Sequence, residues 1–201
     1  AKRLGAATLH EAAGRIGALP SQIKPVSSAF RLAGRAFTVD CAAMDNLWIH
    51  RALYRASPGD VLVVAPRPGP EAGYWGDILN EAAIARDLGG LVINGGVRDS
   101  AGLQGACFPV FARALCIRGT GKDRDALAAL NGVVRVGDVV VHPGDLVVGD
   151  ADGVVVVPQT RATTVVAAGL ARERDETVKI AAIRSGARSI DVYGFGDGGG
   201  H

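Results

Sequence analysis

Hydrophobic positions in the first half of the chain follow two alternating patterns. Short apolar runs, which are typical of buried strands, occupy residues 35–42, 61–65, 91–94 and 109–115. Apolar residues spaced as on one face of a helix predict helices at 8–17, 46–56 and 77–88, and one further helical turn after residue 100. The Gly- and Pro-rich stretch 65–76 predicts a long loop. Strands that alternate with helices indicate an α/β domain.

The second half begins with a different pattern. Short valine-rich runs between residues 132 and 158 are separated by Gly-Asp, Pro-Gly-Asp and Asp-Ala-Asp-Gly turns, which predicts an antiparallel or barrel-like meander. A long helix is predicted over 159–185. The fold class is therefore α/β, with either one mixed sheet or two stacked sheets and outer helices. One domain is expected over 1–193, followed by a disordered Gly-rich tail over 194–201.

Several polar residues have a simple structural interpretation as helix caps or solvent-facing side chains. Thr8 and Glu11 have the spacing of a capping box, and Thr160 is a suitable N-cap for the C-terminal helix. Glu173 and Glu176 belong to a charged run that is expected to be solvated on most faces. Taken alone, none of these residues indicates a site.

Charge and composition exclude several classes of protein. The 201-residue chain has 22 basic and 20 acidic side chains and no Lys/Arg block, which argues against a nucleic-acid partner. Its apolar runs are too short to span a membrane. Three cysteines form no Cys-x-x-Cys pair and leave an odd number, which is typical of a reduced, cytoplasmic protein. A cytoplasmic protein without nucleic-acid or membrane partners is expected.

Common catalytic motifs are absent from the sequence. It contains no Gly-x-Ser-x-Gly, no P-loop and no Gly-x-Gly-x-x-Gly after a strand. The four histidines lack the spacing of a zinc site. A metal would therefore be a hard cation bound by carboxylate oxygen. Mg²⁺ suits such a site because it keeps several waters and often takes only one or two protein carboxylates.

The segment Gly76-Asp77-Ile78-Leu79 ends the predicted loop and begins a helix. Amides in the first turn of a helix lack partners and lie at the positive end of its dipole, so they can bind a small carboxylate or phosphate. Gly76 would let such a ligand approach the backbone. Alternatively, Asp77 simply caps the helix.

The segment VINGGVRDS (92–100) ends an apolar run with two glycines and an adjacent pair of opposite charges. It places Arg98 and Asp99 at the carboxyl end of a buried strand, where ligand crevices form in open α/β sheets. Alternatively, Asp99 caps the next helical turn and Arg98 makes a weak surface contact. The residues alone leave both interpretations open.

Three segments in order along the chain resemble the RraA-like family. The first, GDILNEAAIARDLGGLVINGGVRD (76–99), resembles the family segment that ends in a Gly-x-(Val/Ile)-Arg-Asp turn. The second, FPVFARALCIRGTGK (108–122), and the third, PGDLVVGDADGVVVVP (143–158), are similar to later family motifs. The similarity begins near ATLHEA (7–12) and reaches the C-terminal helix, so it covers almost the whole chain.

This resemblance implies a swivelling β/β/α-type fold, and a homotrimer or dimer of trimers with active sites between subunits. The family includes divalent-metal aldolases for 4-hydroxy-4-methyl-2-oxoglutarate and related acids, which also decarboxylate oxaloacetate. The resemblance to these aldolases implies a lyase that cleaves small 4-hydroxy-2-oxo acids to pyruvate through an enolate. The family also includes RraA, a regulator that binds and inhibits ribonuclease E without enzymatic activity, although a near-neutral charge gives that alternative no support. A third alternative is the same enolate chemistry on a different acid.

Site residues follow from the resemblance by motif. Asp99 would bind Mg²⁺ or Mn²⁺, and Arg98 would contact the keto or enolate oxygen. Gly76 and the amides near Ile78 and Leu79 would bind the substrate carboxylate. A catalytic water would be held by Asp77 together with acids from the neighbouring subunit, for which the candidates are Glu11 and Glu176, with Glu173 as the alternative to Glu176.

Two further expectations concern lysines and substrate choice. A metal-stabilised enolate needs no Schiff-base lysine. The four lysines of the chain, including Lys122, lack the apolar setting that such a lysine usually needs. The loop residues Arg67, Tyr74 and Trp75 are candidates for selecting the substrate's C4 substituent, or alternatively for packing at a subunit interface.

Overall fold

A computed structural model describes residues 3–196 of the chain. Its helices are α1 (Ala6–Ala12), α2 (Leu47–Leu53), α3 (Asp77–Ile84), α4 (Ser100–Gly105), α5 (Ala162–Arg184) and α6 (Ser189–Val192). Its strands are β1 (Lys24–Pro25), β2 (Leu32–Cys41), β3 (Val61–Pro66), β4 (Gly73–Trp75), β5 (Gly90–Val97), β6 (Val110–Leu115), β7 (Ala129–Leu130), β8 (Val134–Val136), β9 (Val139–Val141), β10 (Leu146–Asp150) and β11 (Gly153–Val157).

One mixed sheet contains all of these strands except the β8–β9 hairpin. Its order is β1-β6-β5-β3-β2-β10-β11, with β4 also paired to β5 and β7 to β2. Strands β6, β5, β3 and β2 are parallel neighbours, whereas β1, β10 and β11 are added antiparallel at the two edges. The edges come together where Lys24 of β1 donates a hydrogen bond to the carbonyl of Asp152. The predicted α/β fold with a mixed sheet is confirmed.

Central parallel strands form the main core. Residues 61–64 of β3 and 91–93 of β5 have no exposed surface. Strands covered on both faces are continuously apolar rather than alternating, which is why the apolar runs predicted them correctly. A second, smaller core lies where α1 and α5 cover β10 and β11, through Leu9, Val148 and Val165.

Two expectations about strands were wrong. Strand β5 does not end at Asn94: it continues through Gly95 and Gly96 to Val97, with a register shift between Ile93 and Gly96. Strand β4 lies inside the predicted loop 65–76 and pairs with β5. The predicted meander is also only partly correct, because β10 pairs with β2 and so joins the main sheet.

The capping predictions were wrong at both ends of the chain. Helix α1 begins after Gly5 instead of at Thr8, and the amide of Ala6 donates to Asp150 Oδ2 at 2.8 Å. Glu11 bonds to Arg15 rather than completing a capping box. Thr160 lies in a 3-10 turn, so α5 begins at Ala162. Helix α3 ends at Ile84, earlier than predicted.

Three remaining expectations concern membrane spans, the cysteines and the C-terminal tail. No helix within residues 3–196 is both long and apolar enough to cross a membrane. All three cysteines are free thiols. Most of the Gly-rich tail predicted over 194–201 lies outside the described residues, which end at residue 196, so its disorder stays a prediction.

Candidate functional site

A cleft of about 110 Å³ lies beside the carboxyl end of β5 and the start of α3. The residues that line it are Asn46, His50, Tyr74, Gly76, Ile78, Leu79, Arg98, Asp99 and Lys122. The structure therefore brings together the two segments that the sequence singled out, 76–79 and 98–99. This is the position at which ligand crevices form in sheets with parallel strands.

Two hydrogen bonds hold these segments against each other. The amide of Arg98 donates to the carbonyl of Trp75 at 2.8 Å. The amide of Asp77 donates to Asp99 Oδ2 at 3.1 Å, across 22 residues of sequence. Trp75 itself is fully buried and bonds through Nε1 to Asn80 Oδ1 at 3.2 Å. The start of α3 is thus anchored to the sheet on both sides of Gly76.

Neither aspartate acts as the helix cap that the alternative interpretations required. Gly76 occupies the N-cap position of α3, and Asp77 makes no capping bond. Asp99 occupies the N-cap position of α4 but also makes no capping bond. Its backbone is left-handed, with φ 57° and ψ 39°, which Asp and Asn tolerate better than other side chains do. The Asp99 carboxylate faces α3 instead of its own helix.

Gly76 is required by the closeness of the two segments. A Cβ atom at this position would lie 2.3 Å from Asp99 Oδ2 and 3.1 Å from Arg98 Cγ. Gly96 has a similar role within β5, where a Cβ would lie 2.6 Å from the carbonyl oxygen of Ala72. These glycines allow β4 and the start of α3 to pack directly on β5.

Arg98 and Asp99 do not neutralise each other closely. Arg98 Nε lies 3.7 Å from Asp99 Oδ2, and the two side chains are 41% and 42% exposed. An exposed ion pair of this length contributes little to stability. Both charges therefore remain available to a ligand in the cleft.

Asp99 fits a metal ion that keeps most of its waters. Within residues 3–196 no group of three or more His, Cys, Asp or Glu side chains is arranged to hold a metal. Both polar contacts of the Asp99 carboxylate with other described residues use Oδ2, which leaves Oδ1 for an ion. One partly exposed carboxylate suits Mg²⁺, which binds through one or two carboxylates and dehydrates reluctantly.

Three residues of the cleft were not singled out as site residues: Asn46, His50 and Lys122. Asn46 is 4% exposed, donates from Nδ2 to the carbonyl of Tyr74 at 2.9 Å, and leaves Oδ1 buried without a hydrogen-bond partner among the described residues. Lys122 is placed by its neighbour Gly121, which donates to the carbonyl of Met44 at 2.7 Å. No local pattern could find Asn46 or Lys122, because their proximity arises from pairing between distant segments.

The loop candidates for substrate choice have different positions. Tyr74 lines the cleft, and its hydroxyl accepts a hydrogen bond from the amide of Met44 at 3.0 Å. Trp75 is fully buried in the core and stacked on Phe108, so neither alternative, contact with substrate or packing at a subunit interface, fits its position. Arg67 does not line the cleft and instead pairs with Asp40 through two hydrogen bonds.

Three predicted acidic residues do not line this chain's cleft. Asp77 lies at its rim, with its carboxylate against Gly102, where a Cβ would be 2.3 Å from Oδ1. Glu11 on α1 and Glu176 on α5 both lie beside Arg172. Glu173, the alternative to Glu176, makes no ion pair with another described residue, although its carbonyl accepts a bond from Thr177 Oγ1 at 2.8 Å.

His50 is expected to titrate below its ordinary pKa. Burial lowers the pKa of His50, the positive charge of Lys122 lowers it further, and Asp45 opposes the change. Lys122→Met should therefore move the NMR titration midpoint of the His50 ring upward, whereas Lys24→Met, remote from the cleft, should leave it unchanged. A midpoint that is the same in wild type and Lys122→Met would contradict the proximity of the two side chains.

The same direction predicts how His50 affects stability. Because its pKa is lowered on folding, the unfolded chain takes up the proton more readily, and the stabilising contribution of neutral His50 is lost as pH falls below about 6.5. The urea midpoint of wild type should therefore decrease more steeply than that of His50→Asn over this range.

Comparisons with known proteins show the family of the chain and agree with its fold. Residues 6–156, more than half of the chain, match the RraA-like family, described as Aldolase/RraA. The chain belongs to the RraA-like family. It is 33% identical over 175 residues to the "Putative 4-hydroxy-4-methyl-2-oxoglutarate aldolase" of Halalkalibacterium halodurans, with 87% of this chain and 82% of that protein covered.

Solved structures of RraA proteins have the same fold. The RNA-processing inhibitor RraA from Thermus thermophilis superimposes with a TM-score of 0.69 at 25% identity, covering 77% of this chain and 92% of that one. Streptomyces coelicolor RraAS2, described as an unusual member of the RNase ES inhibitor RraA family, has a TM-score of 0.75 at 26% identity, covering 91% and 94%. The family therefore contains proteins named as an aldolase and proteins named as inhibitors of RNA processing.

Proposed function

We propose that this RraA-like protein is a divalent-metal-dependent lyase that cleaves small 4-hydroxy-2-oxo acids, of the 4-hydroxy-4-methyl-2-oxoglutarate type, to pyruvate, with oxaloacetate decarboxylation as a side activity. The observation that carries this proposal is the bond from the Asp77 amide to Asp99 Oδ2. It places a partly exposed carboxylate, the guanidinium of Arg98 and the start of a helix around one small cleft.

The substrate's 2-oxo acid end fits the wall formed by Arg98 and α3. The amide of Asp77 already bonds to Asp99, whereas those of Ile78 and Leu79 belong to the first helical turn and lack partners within the helix. They would bind the carboxylate next to Gly76. The guanidinium of Arg98 would then contact the C2 oxygen. Lys122 adds a second positive charge to the lining, which suits a substrate with two carboxylates.

Cleavage requires stabilisation of negative charge at the C2 oxygen. A base removes the proton of the C4 hydroxyl, the C3–C4 bond breaks, and its electron pair forms the enolate of pyruvate, which is then protonated at C3. Arg98 provides a fixed positive charge at the oxygen where negative charge develops. Asp99 would hold Mg²⁺ or Mn²⁺, which supplies Lewis-acid stabilisation of the same oxygen when bound. Oxaloacetate decarboxylation passes through the same enolate.

The acid–base groups are proposed to come from two copies of the chain. Asp77 lies at the rim of the cleft, whereas Glu11 and Glu176 do not line it. In a homotrimer or dimer of trimers, Glu11 and Glu176 of a neighbouring copy would face Asp77 and hold the water that moves protons. Pairing of Glu176 with the same arginine as Glu11 favours it over Glu173.

Cytoplasmic location stays a prediction.

Pyruvate release tests this function directly. Purified protein, stripped of metal with a chelator, is incubated with 4-hydroxy-4-methyl-2-oxoglutarate or oxaloacetate, and pyruvate is followed with a coupled lactate dehydrogenase assay. We expect release only after Mg²⁺ or Mn²⁺ is restored. Turnover that is unaffected by chelation would contradict the metal-dependent mechanism.

A second candidate is an RraA-type regulator that inhibits ribonuclease E without enzymatic activity. Its support is the similarity to the inhibitor structures from Thermus and Streptomyces. No pyruvate from any 2-oxo acid, together with inhibition of ribonuclease E cleavage of an RNA substrate, would favour this candidate over the lyase.

A further inference from the structure

Arg172 of α5 contacts carboxylates from two different helices. Its Nε lies 2.8 Å from Glu176 Oε1, one helical turn further along α5, and its Nη1 lies 4.0 Å from Glu11 Oε2 on α1. Nε is shielded from solvent and lacks the alignment of a hydrogen bond, so its contact with Glu176 is an ion pair. On the outer side, Arg15 Nε bonds to Glu11 at 3.2 Å.

Close packing of α1 on α5 explains this arrangement. Gly169 lies in the contact, where a Cβ would be 3.1 Å from Leu4 Cδ1 and 3.4 Å from Leu9 Cδ2. Arg172 follows Gly169 by three residues and therefore lies on the same face of α5. On α1, Thr8 Cγ2 would lie 3.8 Å from the same Cβ, and Glu11 follows Thr8 by three residues, on the same face of that helix. The glycine thus lets the helices approach closely enough for one arginine to reach both acids.

We propose that Arg172 is a positioning residue that holds Glu11 and Glu176 as a pair for the active site of a neighbouring copy. This inference rests on the proposed function, in which both acids act across a subunit boundary. Two carboxylates that approach the same guanidinium repel each other, and the positive charge of that guanidinium offsets the repulsion. Its planar, multi-donor head can bind two carboxylates in a defined geometry, which a lysine cannot reproduce fully.

Because Arg172, Glu11 and Glu176 are partly exposed, Arg172 should affect catalysis more than it affects stability. The side chains of Arg172, Glu11 and Glu176 are 39%, 33% and 36% exposed. Ion pairs with this exposure contribute little to folding. Replacement of Arg172 should therefore change the placement of the two acids, and with it the proton-transfer step, more than it changes the fold.

Kinetics of Arg172→Gln test the inference. We expect kcat for pyruvate release to fall about tenfold or more, because a displaced acid–base pair slows proton transfer, while KM and metal affinity stay unchanged. Arg172→Lys should recover part of the loss. Arg174→Gln is the matched control, since Arg174 lies on the same helix and makes no ion pair with another described residue. Thermal unfolding and light scattering check the fold and oligomeric state of each variant.

Subunit complementation tests whether Arg172 acts across the boundary. Differently tagged Arg172→Gln and Asp99→Asn chains are co-expressed, and the mixed oligomer is purified through both tags. A cleft from the first chain beside an acid pair from the second contains every wild-type group. Each mixed trimer has one such site in three, so activity should rise to about one third of the wild-type rate, or to about one quarter in a randomly mixed dimer of trimers. If Arg172 acted only on its own cleft, mixing would restore nothing.

The outcomes separate this inference from the function on which it rests. Active wild type with an unchanged kcat in Arg172→Gln, or mixed oligomers without restored activity, would overturn the role of Arg172 alone. A loss confined to melting temperature or oligomeric state would overturn it as well. Wild type that releases no pyruvate would overturn both proposals.

Discussion

Replacement of Asp99 by asparagine is expected to lower the rate of pyruvate release by about 10³-fold, with the fold retained. Asparagine keeps an oxygen that can accept the bond from the Asp77 amide, and it tolerates the left-handed backbone at φ 57°. The substitution therefore removes the negative charge while preserving the local geometry. Alanine would instead confound the loss of charge with backbone strain and a broken hydrogen bond.

Metal binding separates this prediction from other causes of inactivity. Binding of Mn²⁺, measured by electron paramagnetic resonance without substrate, should be lost in Asp99→Asn and retained in Asp138→Asn, which changes an exposed acid remote from the cleft. Kinetics across a Mg²⁺ titration should show no recovery at high metal concentration. Asp99→Asn with wild-type metal affinity and wild-type kcat would refute the assignment of Asp99 as the metal ligand.

Sequence patterns predicted the strands that are buried on both faces and are therefore apolar throughout. Strands β3 and β5 are buried on both faces, so their apolar runs were sufficient evidence. Strand β4 has only three residues in a Gly- and Pro-rich segment and is stabilised by pairing with β5, which no local pattern contains. Gly95 and Gly96 were interpreted as a break for a related reason. Their small size serves close packing inside the strand, and that contact is visible only in three dimensions.

Local patterns could likewise find some residues of the candidate site and not others. Local patterns could single out Arg98 and Asp99, because they follow a buried strand, and Gly76, because it precedes a helix, although their roles came from the family resemblance. Asn46 and Lys122 are 76 positions apart, and they meet only because the segments before them pair between Asp45 and Gly121. Patterns along the sequence can find a site whose parts end neighbouring elements. They cannot find residues that reach the site through irregular segments.

Substitution of Gly76 by alanine is expected to reduce kcat by about 10²-fold without an equal loss of stability. The backbone at this residue is extended, with φ −159° and ψ −167°, so alanine can adopt it. The new methyl group would instead lie 2.3 Å from Asp99 Oδ2 and 3.2 Å from Arg98 Nε. Both atoms belong to partly exposed side chains that can move away, so the clash should be relieved by displacing the proposed metal ligand and the proposed oxyanion contact together.

This displacement makes Gly76→Ala a test of geometry in which every proposed catalytic side chain is still present. Urea unfolding should show a small change, whereas Mn²⁺ affinity and kcat should both fall, because the methyl group prevents Asp99 from accepting the Asp77 amide. Gly105→Ala is the matched control: Gly105 ends α4, and a Cβ there would meet no atom of residues 3–196 within 4 Å. If Gly76→Ala kept wild-type kcat and metal affinity, the bond from the Asp77 amide to Asp99 would not be needed for activity. That bond would then no longer support the proposed function.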